Sequence, residues 1–202
     1  MEILGLVAAT FILTASWPQL REVMRNGPEG VSLGSWLLFL SASLGWGTYG
    51  WKIDSPSTLI GNVAGAVAFS ALVVAIVAAR VGRARALLFV GTGMAAALVV
   101  VIMLPTSVVG GIGIAIGCAL ALPQLLLSWR SRGLPSTVSV AAWTLVAAGQ
   151  GMWLLYGLLR PDFAITAVNV VACTASVTVL LLERGRPSMP AENTEPIPVG
   201  AR

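Results

Sequence analysis

Seven windows of the sequence, each about 20 residues long, contain no Asp, Glu, Lys or Arg. They run from Ile3 to Leu20, Val31 to Trp51, Ser57 to Ala79, Ala86 to Leu104, Ser107 to Ser128, Ser136 to Leu159 and Phe163 to Leu182. A hydrocarbon core about 30 Å thick is crossed by roughly 20 residues of α-helix, the geometry that lets a lipid-embedded segment satisfy its own backbone hydrogen bonds. Each window therefore predicts one membrane-spanning helix, and the fold class expected is an all-α polytopic membrane protein with seven transmembrane helices. The chain is 57% hydrophobic and 10% charged, too little polar surface to coat a soluble domain of 202 residues.

The basic residues then mark sides of a membrane rather than a nucleic-acid surface. An N-terminus placed outside puts ten of the 12 Lys and Arg on the cytoplasmic side and leaves only Lys52 and Arg160 outside. No basic stretch precedes the first apolar run, so that run is expected to be a retained span rather than a cleaved leader. The closing stretch, "ERGRPSMPAENTEPIPVGAR", is polar and Pro-rich and is expected to be a disordered cytoplasmic tail.

The chain also repeats itself. At an offset of 107, Trp36, Trp46, Tyr49, Gly50 and Asn62 fall on Trp143, Trp153, Tyr156, Gly157 and Asn169. Pro18 and Gln19 fall on Pro123 and Gln124 at 105, a difference that a loop absorbs. Chance similarity between apolar segments would share Leu and Val, not Trp, Tyr and Asn. The chain thus reads as a duplicated three-helix unit, residues 1–82 and 106–183, with a linker span at 83–105 and the tail at 184–202. Because three is odd, directly joined units would face opposite ways. The linker span returns the chain to its starting side and makes the two repeats parallel.

A Pro-Gln pair late in helix 1, a Trp and a Tyr-Gly late in helix 2 and an Asn early in helix 3, all present twice around a linker helix, resemble the PQ-loop superfamily. Within it the pattern is similar to the SWEET sugar transporters and their half-size SemiSWEET relatives, over roughly residues 1–182. That resemblance implies facilitated diffusion of mono- or disaccharides by alternating access in a cell (plasma) membrane. It also implies a pocket on the pseudo-twofold axis lined by Trp46, Trp153, Asn62 and Asn169. One departure is plain: eukaryotic members carry further prolines early in helices 2 and 6, where this chain has Ser35 and Ala142.

The residues argue in the same direction without the family. Trp46 and Asn62 lie about five residues inside the outer ends of their spans, roughly 8 Å deep at 1.5 Å per residue, and Trp153 and Asn169 match them. An amide at that depth is costly unless it faces protein or a wet cavity, so each Asn is a binding candidate. Indole faces suit the C–H face of a sugar ring, and carboxamides suit its hydroxyls. The alternative is structural: each Asn bonds a neighbouring helix and each Trp belongs to an interfacial belt. Tyr49 and Tyr156, one turn farther out, are candidates for an outer lid. Pro18 and Pro123 are candidate hinges of an inner gate, with Gln19 and Gln124 positioned to satisfy carbonyls released by a bend.

No His occurs in the chain and no ionisable Asp, Glu, Lys or Arg falls within a span, which favours a uniporter over a proton symporter. The same absence leaves no acid–base set for an enzyme, and no cofactor or metal site is expected. Cys118 and Cys173 lie far apart in apolar runs and suggest neither a disulfide nor a metal pair. The partners expected are a small-molecule sugar and membrane lipid, with self-association into a homo-oligomer left open. The rivals are a PQ-loop amino-acid exporter, which would want buried charge near the substrate, and a non-transporting membrane scaffold, which would need no symmetric polar layer.

Overall fold

A computed structural model describes residues 1–26, 33–130, 132, 140–184 and 186. They form seven helices and no strand among the described residues: α1 Glu2–Asn26, α2 Leu33–Lys52, α3 Pro56–Val81, α4 Arg83–Met103, α5 Thr106–Arg130, α6 Val140–Leu159 and α7 Phe163–Glu183. Helices α3 to α7 are long and apolar enough to cross a membrane. Each helix covers its apolar window wherever the residues are described, except that α4 stops at Met103, one residue short of Leu104; α1 continues past Leu20 to Asn26. Hydropathy marks where lipid ends, whereas a helix carries on into headgroup and water while long Arg side chains reach outward. The expected start of the second span at Val31, the stretch from Ser136 to Ser139 and most of the 184–202 tail lie outside the described residues.

The seams between helices repeat bond for bond. At the α2–α3 turn Ile53 N donates to Tyr49 O at 3.1 Å and Ser55 N to Gly50 O at 2.8 Å. At the α6–α7 turn Arg160 N donates to Tyr156 O at 3.0 Å and Asp162 N to Gly157 O at 2.9 Å. Ser55 then caps α3 by accepting from Thr58 N, with Pro56 in the first helical position, and Asp162 caps α7 by accepting from Ile165 N. The glycine of each Tyr-Gly pair is what lets the hairpin close. A β-carbon on Gly50 would lie 2.6 Å from Leu59 N, and one on Gly157 would lie 2.8 Å from Thr166 N.

Packing follows the same equivalence. Helix α3 packs against α1 and α2, and α7 against α5 and α6, so the third helix of each repeat is the one that holds the other two. Between repeats, α1 meets α6 and α2 meets α5, contacts that exchange when the repeats are swapped. Helix α4 breaks the symmetry by packing mainly on α3 and α2, with Val90 and Met94 against the buried cluster of Leu40, Ala66, Phe69 and Val73. Lys52 ties it there: its Nζ donates to Ile102 O at 2.8 Å, among the last carbonyls of α4, where the helix lacks intrahelical donors and favours a cation. Position 159, the equivalent of Lys52, is Leu.

Gly50→Ala is expected to lower the thermal midpoint of the detergent-solubilised protein, with a cost of about 1–3 kcal/mol from forced overlap. Gly45→Ala, where nothing lies within 4 Å, is the matched control and leaves the midpoint in place.

Candidate functional site

The interface between the repeats holds a cavity of about 410 Å³, within the range of roughly 300–1,000 Å³ usual for small-molecule sites. Trp46, Asn62, Trp153 and Asn169 all line it, so the four residues singled out by their spacing converge on one space. The walls are equivalent as well: on α3 and α7 the lining positions 58, 61, 62, 65 and 69 recur as 165, 168, 169, 172 and 176. Every described wall residue is uncharged. From the indole layer the lining runs along α6 to Ala142, about 16 Å at 1.5 Å per residue.

Each indole is seated by a glycine on a helix of the opposite repeat. A β-carbon on Gly113 of α5 would come within 2.8 Å of the Trp46 ring, and one on Gly5 of α1 within 3.3 Å of the Trp153 ring. Gly110, the equivalent of Gly5 at an offset of 105, makes the same kind of room for Tyr49, 2.9 Å away. Each Trp also meets the Tyr one turn on, edge to face, at 5.4 Å for Trp46–Tyr49 and 5.3 Å for Trp153–Tyr156. These rings are held between helices, and the interfacial-belt alternative does not describe them.

The two amides are fixed alike. Asn62 Nδ2 donates to Thr58 O at 2.8 Å and Asn169 Nδ2 to Ile165 O at 2.7 Å, each one turn back on its own helix. Neither bond goes to a neighbouring helix, as the structural alternative required. Each uses one N–H and leaves the amide oxygen and the second N–H without a partner among the described residues.

At the end of the bundle that carries Glu2, the cavity is capped by the tyrosines. Tyr49 reaches out of its own repeat and donates to the Asp162 carboxylate at 3.0 and 3.2 Å; Tyr156 lies 2.6 Å from Ser55 Oγ in the other repeat. Asp162 and Ser55 are the N-cap residues of α7 and α3, so each tyrosine docks on the start of the opposite repeat's third helix. Around Tyr156 the contact is reinforced. Its hydroxyl donates to Glu2 Oε1 at 2.8 Å, Arg160 pairs with the same oxygen at 3.0 Å, and Ser57 N donates to Glu2 Oε2 at 2.7 Å. Arg160 also donates to the backbone oxygens of Ile53 and Asp54 in the α2–α3 turn.

Pro123 and Gln124 are not among the described residues that line the cavity. Helix α5 runs unbroken through Pro123, whose ring faces outward, and Gln124 Nε2 donates to Ser128 Oγ at 3.1 Å. Helix α1 runs through Pro18 and Gln19, whose side chains lie outside the described residues. The sequence reading missed Glu2, Ser55, Arg160 and Asp162 as members of the capped end. A signal existed for two of them, since Ser55 and Asp162 are 107 apart and both suit a helix N-cap.

No family model matches the chain, and no curated protein matches it in sequence. Among solved structures it aligns with a eukaryotic SWEET transporter determined at 3.7 Å, with a TM-score of 0.74 and 20% identity over 89% of this chain and 93% of that one. The chain therefore has a SWEET-like fold, that of a seven-helix integral membrane protein with two parallel three-helix repeats joined by a linker helix.

Tyr49→Phe and Asp162→Asn are expected to be non-additive in thermal unfolding. Asn still caps α7, so the coupling, on the order of 1–2 kcal/mol, reports the crossing bond to the carboxylate. Strict additivity would show that the bond carries no weight.

Proposed function

We propose that the protein is a facilitative sugar transporter, a uniporter that passes a mono- or disaccharide across the membrane by alternating access. The observation that carries this reading is the uncharged cavity between the repeats, with an indole and a carboxamide from each half facing the same space. Apolar ring faces beside uncommitted amide groups suit a solute that carries hydroxyls on its rim and C–H bonds on its faces. A zwitterionic amino acid would place an ammonium and a carboxylate in a cavity that offers neither a counter-charge. The geometry of a eukaryotic SWEET transporter supports the same assignment through the fold.

In this proposal residues 1–82 and 106–183 are the moving halves, 83–105 is the linker, and the N-terminus faces outward from the cell membrane. Trp46, Asn62, Trp153 and Asn169 bind the solute. Tyr49 and Tyr156 form the outer gate, closed in the conformation described, while the cavity extends toward the cytoplasmic ends of the helices. Pro18 and Pro123, with Gln19 and Gln124, form the hinge of the inner gate.

Proteoliposomes containing the protein should take up labelled glucose or sucrose and exclude neutral amino acids, and the rate should survive collapse of the pH gradient. Asn62→Ala and Asn169→Ala should each reduce sugar flux at least tenfold with unchanged yield of folded protein, since each leaves hydroxyls of a bound sugar unpaired, at about 1–3 kcal/mol apiece. Uptake of amino acids in preference to sugars, or flux that depends on a proton gradient, would refute the assignment. Replacing both Pro18 and Pro123 by Ala should slow transport and leave sugar binding intact.

A further inference from the structure

Below the layer of indoles and amides the two repeats stop matching. Three equivalent pairs line the cavity there with unlike chemistry: Phe39 with Val146, Ser43 with Gln150, and Phe69 with Ser176. The first repeat presents aromatic surface, its Phe39 and Phe69 rings 5.5 Å apart and tilted against each other. The second repeat presents a carboxamide at Gln150, with the Trp143 indole two turns deeper. Gln150 follows Val146 by four residues and precedes Trp153 by three, which keeps it on the cavity face of α6, about 4.5 Å deeper than the indole.

The amide of Gln150 is uncommitted, and it offers two donors and an acceptor where its counterpart Ser43 offers one hydroxyl. Ser176 Oγ donates to Ala172 O at 2.7 Å, and Asn62 and Asn169 each give one N–H to their own helix. Gln150 makes no hydrogen bond to any described residue. Ser43, its counterpart, is buried and turned against α3, with its Oγ 2.9 Å from where a β-carbon on Gly65 would stand. The Gln150 carboxamide is half-buried at the cavity wall and has two donors and an acceptor to give an occupant.

We propose that Gln150 is a further binding residue that sets the orientation of the solute. It hydrogen-bonds one hydroxyl of the bound sugar, and the sugar's C–H surface lies toward Phe39 and Phe69. The inference rests on the sugar-carrier reading above. The two indoles and two amides are equivalent pairs and by themselves would accept a ligand in either of two related poses. Only one of them meets Gln150, because the rotated pose finds the short hydroxyl of Ser43 in its place. The solute is therefore held in a single orientation by the second repeat.

The test is binding of D-glucose and its singly deoxygenated analogues to the purified protein, read by titration calorimetry for the wild type and Gln150→Leu. In the wild type, removing one particular hydroxyl weakens binding about five- to tenfold, the worth of one hydrogen bond. Gln150→Leu binds glucose weaker by a similar factor and binds that one analogue as the wild type does, the non-additivity expected of a direct contact. A variant that loses affinity equally for glucose and every analogue, or that keeps the wild-type preferences unchanged, overturns the proposal. Gln150→Met replaces the Leu variant if the latter does not fold. Should the folded wild type bind neither glucose nor any analogue, the sugar reading itself fails, an outcome distinct from the other two.

Discussion

Two buried phenols, Tyr49 and Tyr156, leave their own repeats to reach the residues that cap the third helix of the other. A hydroxyl inside a bundle needs a partner, and an N-cap side chain offers a fixed one because it is already oriented by the first turn of its helix. The halves consequently meet in one register, the register that sets each indole beneath its tyrosine and against a glycine of the facing helix. The cavity is the space left over when these contacts are made. The capped end and the layer of indoles are thus one construction, since each tyrosine packs edge to face on its indole.

The duplication is incomplete. Tyr49 meets a single carboxylate, whereas Tyr156 sits in a denser set of bonds with Glu2, Arg160 and Ser55. Linker α4 leans on one repeat and is tied to it by Lys52, so the other repeat has one fewer helix packed against it. The paired indoles and amides keep their equivalence, while the deeper lining and the capped end differ between the repeats.

Much of this was legible in the order of residues. The absence of charge over helix-long windows located the helices, because a lipid core tolerates almost nothing else. The repeated interval from Trp to Asn placed four side chains in one layer, since spacing along two helices of a hairpin converts directly into depth. The glycines at 5, 110 and 113 were not legible, because their role depends on α1 facing α6 and α2 facing α5, and no periodicity within one helix reports its neighbour. Glu2 and Arg160 looked like ordinary charges at the membrane edge. Their partnership spans nearly the whole chain, and only the fold brings them to 3.0 Å. The amides of Asn62 and Asn169 were expected to choose between a neighbouring helix and a ligand, and instead each is braced by its own helix with capacity to spare.

A structure of the protein at saturating sugar tests the central claim most directly. The account predicts a sugar ring between Trp46 and Trp153, with hydroxyls within hydrogen-bond reach of both Asn62 and Asn169. Sugar bound on one repeat alone or outside the bundle, or indoles turned toward lipid with the central space filled by side chains, would contradict it.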